Sequence, residues 1–293
     1  MMQTERAVCA QPMRADPWVC PLCAAPLAAT ANGVLRCAAN HSFDRAKEGY
    51  WHLLPVQEMH TKAPGDSKEM VAARRAFLAA GYYAPFGAAL GALVREYGAA
   101  APGEPLHVLD AGCGEGWYDR AVAEAFAAAG LPLRLAGFDI AKPAVRLAAK
   151  ALGQGSYAVA SSFHQPVQSA WADVLLNIFS PFAREEFARV LRPGGRLIYA
   201  VPGARHLFGM KQALYAEPYE NPVQAIAYEG FVPVGERTVS DTITVPGEML
   251  ENLFAMTPYY WKTPADGAAR LRALPSLETE IEFRFLVLER TKK

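Results

Sequence analysis

VLDAGCGEGWYDR, at residues 108–120, is the stretch that decides the fold of this chain. A short apolar run ends on Asp110, glycines follow at Gly112, Gly114 and Gly116, and an Ala-rich helical pattern begins there. Glycines let the backbone pass close to a ligand without a Cβ in the way, and the first turn of a helix offers free N–H groups. The stretch therefore predicts a strand, a ligand-binding turn and a helix in that order.

The alternation of apolar strands and helices continues beyond this turn. Strands are predicted at LHVLD (106–110), LRLAGFDI (133–140), YAVAS (157–161), ADVLLNIF (172–179) and GRLIYAV (195–201). Helices are predicted over 116–130 and 143–152, and a third ends at ARVLRPGG (188–195). This spacing predicts a parallel sheet with right-handed crossovers, a Rossmann-like α/β fold. TEIEFRFLVLER (279–290) is long and alternating, as expected for a late antiparallel strand.

Composition divides the chain into four parts. They are a disordered extension (1–17), a Cys-rich zinc-binding module (18–60), a linker with helices (61–104) and the Rossmann-like domain (105–293). Within the linker, Ser67 is predicted to cap a helix that stops at Gly81.

Bulk composition limits the classes of function. Lys+Arg and Asp+Glu number 29 each, so the net charge is zero, which argues against binding to nucleic acid by bulk charge but does not exclude a local basic face. No apolar run reaches the roughly 18 residues of a membrane span, and the N-terminus lacks the apolar core of a signal peptide. A cytoplasmic protein is therefore predicted. The neutral charge and the 52% hydrophobic content are compatible with a homodimer.

The N-terminal cysteines have the spacing of a metal site. Cys20 and Cys23 form a Cys-x-x-Cys knuckle, and Cys37 is followed four residues later by His41. Two such pairs supply the four tetrahedral ligands of structural zinc. Two unrelated pairs packed in a small core are the alternative. Cys9 lies outside the spacing.

Two acids make the glycine turn more specific. Asp110 ends the first strand, where it suits the cationic ammonium group of S-adenosylmethionine, and Asp139 ends the next, where a carboxylate can accept both ribose hydroxyls. Nicotinamide enzymes share a similar glycine string, so they remain an alternative. A purely structural turn would need neither acid.

Two later strand ends carry further candidates. Ser161 and Ser162 follow the third strand, where such folds usually touch adenine, although a plain turn explains them equally well. Asn177 and Phe179, near the end of the fourth strand, could hold a planar nucleobase, which needs edge hydrogen bonds and stacking. Asn177 is thus the candidate contact to a target base. A strand end stopped by Pro181 is the structural alternative.

Several motifs together resemble one family. They are CPLC (20–23), HSFDRAKEGYWHLLP (41–55), PGDSKEMVAARRAFL (64–78), DAGCGEG (110–116), RPGG (192–195) and PGARHLFGMK (202–211). This set resembles the 23S ribosomal RNA guanine-N1 methyltransferases of the RlmA type, whose relatives include macrolide-resistance methyltransferases. The resemblance implies a zinc module that helps to grip a 23S rRNA hairpin and a domain that binds S-adenosylmethionine.

The resemblance also implies roles for individual residues. It places Tyr83 and His206 at the cofactor and assigns the turn to Gly112, Gly114, Glu115 and Gly116. The implied reaction is methylation of guanine N1 in a hairpin loop.

The residues themselves support RNA binding less strongly. A basic patch is expected within 184–211, where Glu185 and Glu186 oppose six cations: Arg184, Arg189, Arg192, Arg196, Arg205 and Lys211. Arg74 and Arg75 add two cations, expected to face a cleft beside the zinc module. Such a face could track phosphates, although solvated helix surface is the commoner explanation. A small-molecule methyltransferase and a noncatalytic RNA-binding protein remain alternative functions.

Overall fold

The chain's architecture is described by a computed structural model. The described residues are 16–31, 33–59, 61, 63–101, 103–223 and 228–291. Most of the extension expected at 1–17 lies outside them, but the carbonyls of Asp16 and Pro17 accept hydrogen bonds from Gln168 Nε2 and Gln168 N–H, both at 2.7 Å. The expectation of disorder is therefore corrected at these two residues.

Helices and strands alternate along the chain as the sequence predicts. The helices are α1 (Lys68–Ala79), α2 (Ala84–Tyr97), α3 (Trp117–Ala128), α4 (Lys142–Ala151), α5 (Arg184–Val190), α6 (Phe208–Leu214), α7 (Gly247–Ala255) and α8 (Ala265–Arg272). The strands are β1 (Ala28–Ala29), β2 (Leu35–Arg36), β3 (Ser42–Phe43), β4 (Tyr50–His52), β5 (Leu106–Ala111), β6 (Leu133–Asp139), β7 (Ser156–Val159), β8 (Ala172–Ile178), β9 (Leu191–Pro202), β10 (Phe231–Pro246) and β11 (Ser276–Arg290).

The main sheet has the order β10-β11-β9-β8-β5-β6-β7-β4. Pairing is parallel from β4 to β9 and antiparallel where β11 joins β9 and β10. The predicted Rossmann-like fold is confirmed. The strand order reverses between β5 and β8, and ligands of open α/β sheets bind beyond the carboxyl ends of the strands at such a switch point.

The N-terminal module is continuous with this sheet. Its three short strands β1–β3 form a separate small sheet, whereas β4 pairs in parallel with β7 at the edge of the main one. Trp18 is fully buried, and its ring N–H donates to Ser156 Oγ at 2.8 Å. The module is therefore held against the domain that carries the glycine turn.

Two features differ from the predicted elements. The long edge strand β10 was not predicted, because only Phe231, Ile243 and Val245 along its 16 residues are buried. The helix predicted to end within 188–195 does end there, at Val190, but β9 begins at Leu191, before the predicted strand start at Gly195.

Helices α1 and α2 form a bent pair before the sheet. Ser67 caps α1 as predicted, accepting the Met70 N–H at 3.2 Å. Among the described residues no single helix has the length and apolar composition to cross a membrane; α1 and α2, bent by 85°, meet those criteria only when taken together.

Candidate functional site

Cys20, Cys23, Cys37 and His41 converge, with one potential ligand atom of each within 4.8 Å of the others. The sulfurs of Cys20 and Cys37 lie 3.4 and 3.5 Å from His41 Nδ1, and the Cys23 and Cys37 sulfurs are 3.7 Å apart. Around a tetrahedral zinc ion, with Zn–S of about 2.3 Å and Zn–N of about 2.0 Å, ligand atoms are roughly 3.5–3.8 Å apart. The four residues therefore fit Zn²⁺.

Two tight turns present these ligands. Ala24 N–H donates to the Cys20 carbonyl at 2.8 Å, and Asn40 N–H donates to the Cys37 carbonyl at 3.0 Å. Ala24 and Asn40 both have left-handed backbones, with φ of 57° and 64°. Four protein ligands close the coordination sphere, which is typical of structural rather than catalytic zinc.

The glycine turn folds back onto the end of β6. Gly112 and Cys113 N–H groups donate to the Phe138 carbonyl at 2.8 and 2.9 Å, and Gly116 N–H donates to the Cys113 carbonyl at 3.0 Å. Gly112 has φ 89°, and a Cβ there would lie 2.5 Å from Ser180 Cβ. Glycine is required because the turn passes directly beside the loop that follows β8.

Asp139 and Ser161 lie at the ends of the neighbouring strands. Asp139 Oδ2 accepts the Gly114 N–H at 3.0 Å, and its Oδ1 accepts the Ala141 N–H at 2.8 Å. Burial raises the pKa of Asp139, although both N–H groups oppose the shift. Ser161 Oγ accepts the Phe163 N–H at 3.2 Å. The glycine turn, Asp139 and Ser161 therefore share one edge of the sheet.

Asp110 is fully buried where β5 ends, and neither carboxyl oxygen has a hydrogen-bond partner among the described residues. Burial and the neighbouring Asp119 raise the pKa of Asp110 well above its ordinary value. Asp119 accepts a hydrogen bond from Tyr157 Oη at 2.9 Å. A buried carboxyl without partners fits an ammonium group, whose charge and N–H donors favour the ionised form.

Asp119→Asn is expected to change how stability depends on pH. Burial raises the pKa of Asp119 from 3.8 to about 7, so the folded chain keeps a proton that the unfolded chain releases across this window. The free energy of unfolding of the wild type should therefore fall as pH rises through it. The variant holds no such proton, so its advantage in urea unfolding should grow by roughly 1–3 kcal/mol from about pH 5 to about pH 8. A pH-independent difference would contradict the shifted pKa.

Tyr83 and His206 meet at the same edge, with Tyr83 Oη 3.5 Å from His206 Nε2. His206 Nδ1 accepts the Glu282 N–H at 3.2 Å, so the ring proton of the neutral imidazole is on Nε2, facing Tyr83. Burial lowers the pKa of His206 to about 3 and raises the pKa of Tyr83 well above its ordinary value. Both groups are neutral near pH 7, which suits holding a ligand better than taking up a proton.

Asn177, near the end of β8, forms hydrogen bonds with the loop that follows this strand. Its side chain is fully buried, and Nδ2 donates to Ser180 Oγ and to the Pro181 carbonyl. Ser180 Oγ donates in turn to the Ala111 carbonyl, at the end of β5. The Nδ2 group therefore supports this loop, whereas Oδ1 is buried and has no hydrogen-bond partner among the described residues. The contact of this amide with a target base stays a prediction.

Phe179 is an exposed residue of that loop, with 45% of its surface accessible and a left-handed φ of 54°. Its ring lies nearly parallel to those of His206 and Phe86, with centroids 6.4 and 6.0 Å away. Sequence reasoning noted this aromatic face but did not include Phe179 among the site residues. The signal was an aromatic side chain at a strand end on the ligand-binding edge.

The basic patch expected within 184–211 does not form, because its cations are paired or buried inside the chain. Lys211 is fully buried and donates to the Tyr219 carbonyl and to Asn221 Oδ1. The pairs are Arg184 with Glu185 and Glu229, Arg189 with Glu186, Arg192 with Asp173, Arg196 with Glu289, and Arg205 with Glu220 and Glu280. These pairs neutralise most of the positive charge, which favours the alternative of a solvated surface over a phosphate-tracking face.

The adjacent arginines of α1 have different environments. Arg74 forms an ion pair with Asp66, in the loop before α1, and its Nη2 donates to the Met256 carbonyl at 3.5 Å. Arg75 is exposed and lines a groove. The expectation that both face one cleft is therefore corrected for Arg74.

That groove, the α1–α4 groove, has a volume of about 1160 Å³ and lies between α1, α4 and the segment after β4. Lys142, Arg146 and Lys150 are exposed along one face of α4, four residues apart. Its charged or titratable lining residues are His52, Asp66, Lys68, Glu69, Arg75, Lys142, Arg146 and Lys150. Five cations thus face two acids, although Arg146 also pairs with Glu48 at 2.8 Å.

Two family models match separate parts of the chain. Residues 18–62 match the zinc-ribbon model described as "RlmA, N-terminal", and residues 109–199 match the model described as "Methyltransferase domain". The first contains all four converging ligands, and the second contains the glycine turn and the loop that carries Phe179.

Three relatives are similar along most of their length. The chain is 38% identical to a Micromonospora griseorubida protein named as a 23S rRNA (guanine-N1)-methyltransferase, over 87% of this chain and 90% of that protein. It is 36% identical to the 23S rRNA (guanine(748)-N1)-methyltransferase of Streptomyces fradiae, over 92% of this chain and 95% of that protein. It is 30% identical to YxjB of Bacillus subtilis (strain 168), named for the same guanine-N1 activity, again over 92% and 95%.

These matches agree with the geometry of both sites, a four-ligand zinc cluster and a glycine turn flanked by acids. The chain belongs to the RlmA-type family of S-adenosylmethionine-dependent 23S rRNA (guanine-N1)-methyltransferases.

Proposed function

We propose that this methyltransferase modifies N1 of a guanine in a hairpin loop of 23S rRNA. The observation that carries the proposal is the exposed ring of Phe179, held on a loop that touches the glycine turn through Ser180. A nucleobase that leaves its stack needs an aromatic face beside the reacting group. The guanine-N1 activity named for the relatives supports the choice of base and RNA.

Five residues are proposed to hold the cofactor. Asp110 would receive the ammonium group, Asp139 the ribose hydroxyls, and Ser161 would lie at the adenine. The neutral side chains of Tyr83 and His206 would lie against the methionine portion of the cofactor. When bound, S-adenosylmethionine supplies an electrophilic methyl group on its sulfonium.

The reaction forms a bond from guanine N1 to the methyl carbon, breaks the carbon–sulfur bond, and releases the N1 proton. The rate depends mostly on holding nucleophile and methyl group in line. Phe179 would orient the base. Asn177 would hold the Phe179 loop through Nδ2, and its Oδ1, which has no partner among the described residues, would contact the base. Because the lowered pKa of His206 opposes proton uptake and the neutral Tyr83 already carries its proton, water is the proposed acceptor of the proton.

The α1–α4 groove is proposed as the path of the RNA backbone. It contains an excess of cations, and it borders Asp139 through Ile140 and the zinc module through the segment after β4. A row of exposed cations four residues apart on one helix can follow consecutive phosphates. The groove thus takes the place of the basic patch that the sequence suggested elsewhere.

Replacing Lys142 and Lys150 by Ala is expected to flatten the salt dependence of RNA binding. Each phosphate contact adds about 0.7–0.9 to the slope of log K against log salt concentration. The slope measured for the double variant should therefore be smaller than that of the wild type by roughly 1.4–1.8. The measurement is filter binding of an rRNA hairpin at several salt concentrations. Replacing Arg95 and Arg237, on α2 and β10, removes the same charge elsewhere and should leave the slope unchanged. Equal slopes for wild type and the Lys142/Lys150 variant would exclude the groove.

The division of the chain remains part of the proposal. Residues 18–60 would form the zinc module, 61–104 the linker with α1 and α2, and 105–293 the methyltransferase domain. A cytoplasmic location and a homodimer are proposed with it.

Transfer of radioactive methyl from the cofactor tests the function against its alternatives. Label should enter 23S rRNA. Label found only in a small-molecule extract would indicate a small-molecule methyltransferase. No transfer at all, from protein that binds S-adenosylhomocysteine, would indicate a noncatalytic RNA-binding protein.

A further inference from the structure

Lys211, on α6, is a fully buried cation. Its ammonium group donates to the Tyr219 carbonyl and to Asn221 Oδ1, both at 2.8 Å. The same nitrogen lies 4.2 Å from the centroid of the Tyr219 ring and 5.6 Å from that of Tyr259. These partners are neutral, and burial lowers the pKa of Lys211. Burying a charge among neutral groups costs free energy that an apolar side chain would avoid, so packing alone does not account for a lysine here.

Asn221 connects this ammonium group to the turn that follows β9. Its Nδ2 donates to the Gly203 and His206 carbonyls at 2.9 and 3.2 Å, and its backbone N–H donates to the Ala204 carbonyl at 2.8 Å. An ammonium group only donates and a carbonyl only accepts, so Lys211 directs Oδ1 of the amide towards α6 and Nδ2 towards the turn. An apolar side chain in place of Lys211 would remove this constraint on the orientation of the amide.

The turn after β9 brings His206 to the edge of the sheet where the target base and the cofactor are proposed to bind. Strands β8 and β9 are parallel neighbours, so this turn lies beside the loop after β8 that carries Phe179. The His206 and Phe179 rings are nearly parallel, with centroids 6.4 Å apart, and His206 Nε2 lies 3.5 Å from Tyr83 Oη. The position of the His206 backbone therefore sets where its ring stands relative to Phe179.

We propose that Lys211 is a positioning residue for methyl transfer, which acts through the amide of Asn221 to hold His206 beside Phe179. Because Lys211 is fully buried, it acts through these hydrogen bonds and not by contact with RNA. A misplacement of about 1 Å can lower a rate by about 100-fold, so hydrogen bonds remote from the chemistry can control that rate. The inference rests on the proposed binding of the target base at Phe179.

Asn221→Asp separates this role from a contribution to folding. The carboxylate has the size of the amide and can pair with Lys211, but it sets an oxygen against the Gly203 and His206 carbonyls. We expect kcat for rRNA methylation to fall by about 10- to 100-fold at saturating cofactor and RNA, and the KM for RNA to change less than about threefold. The midpoint of urea unfolding should stay near that of the wild type, because the new ion pair offsets the lost hydrogen bonds.

Lys211→Met removes the ammonium group and should lower kcat by about 5- to 20-fold, because the amide of Asn221 can then adopt either orientation. Two matched controls change the same side chains elsewhere. They are Asn252→Asp, on α7, and Lys262→Met, at an exposed residue, and both should leave kcat unchanged.

The ring signals of His206 in heteronuclear NMR spectra, assigned by their loss in His206→Gln, report on the positioning without RNA. They should shift in Asn221→Asp and in Lys211→Met and stay in place in both controls. A normal kcat in Asn221→Asp, unchanged His206 signals, or a fall in the urea midpoint that parallels the fall in kcat would each overturn the proposal. Wild-type protein that methylates no rRNA would refute the proposed function instead, and the His206 signals would still decide whether Lys211 holds this ring.

Discussion

Cys37→Ser is expected to abolish zinc binding and to unfold the N-terminal module. Cys37 is buried and lies within 3.7 Å of Cys23 Sγ and 3.5 Å of His41 Nδ1, so three ligands would remain around the ion. Structural zinc contributes an apparent binding free energy of about 10–16 kcal/mol in small domains, which the few buried side chains of this module cannot replace. Metal analysis should fall from about one zinc per chain to nearly none.

Cys37→Ser should affect cofactor binding and rRNA methylation differently. S-adenosylhomocysteine affinity should stay within a few-fold, because the glycine turn, Asp139 and His206 lie outside the module. Methylation of rRNA should collapse. Cys9→Ser is the matched control, since Cys9 lies outside the ligand spacing and outside the described residues. Full zinc content in Cys37→Ser would disprove the ligand assignment, and normal rRNA methylation would give the module another role.

Phe179→Ala is expected to lower kcat for rRNA methylation by up to about 100-fold. Stacking of a base on an aromatic ring contributes about 1–3 kcal/mol, and here it would also align the base with the methyl group. Rate measurements at saturating cofactor and RNA report this step. RNA affinity should change little, because the phosphates in the α1–α4 groove supply most of the binding.

Two variants control for loss of an aromatic side chain. Phe179→Trp keeps an aromatic face and should retain most of the rate. Trp261→Ala removes an aromatic side chain that is 70% exposed on another part of the surface, and it should leave the rate unchanged. A normal kcat in Phe179→Ala would remove this residue from the base-binding site.

Local sequence patterns predicted the sheet and the cofactor edge well. The strand that ends on Asp110 and the glycines after it have few other interpretations, because a positive φ at Gly112 and contact with Ser180 demand glycine. The zinc ligands were predictable for a similar reason, since Cys-x-x-Cys spacing fixes a short turn. Both sites are made by residues close together in sequence.

Features that depend on distant residues were not predictable. The cations of 184–211 looked like a patch because their partners, such as Glu229 and Glu289, lie far along the chain or on another strand. Asn177 was expected to contact a target base, but the use of its Nδ2 group by its own loop could not be read from the sequence. Strand β10 has few buried residues, so its pairing with β11 reveals it and its sequence does not.

Nucleoside analysis of a methylated rRNA fragment identifies the atom that this protein methylates. A 23S rRNA hairpin is incubated with the chain and S-adenosylmethionine, digested and examined by mass spectrometry, and a second sample is read by reverse transcription. We expect N1-methylguanosine at one loop guanine and a reverse-transcription stop beside it, because a methyl group on N1 blocks Watson–Crick pairing. A methyl group on another atom or base, or unmodified RNA from zinc-loaded protein that binds the cofactor, would contradict it.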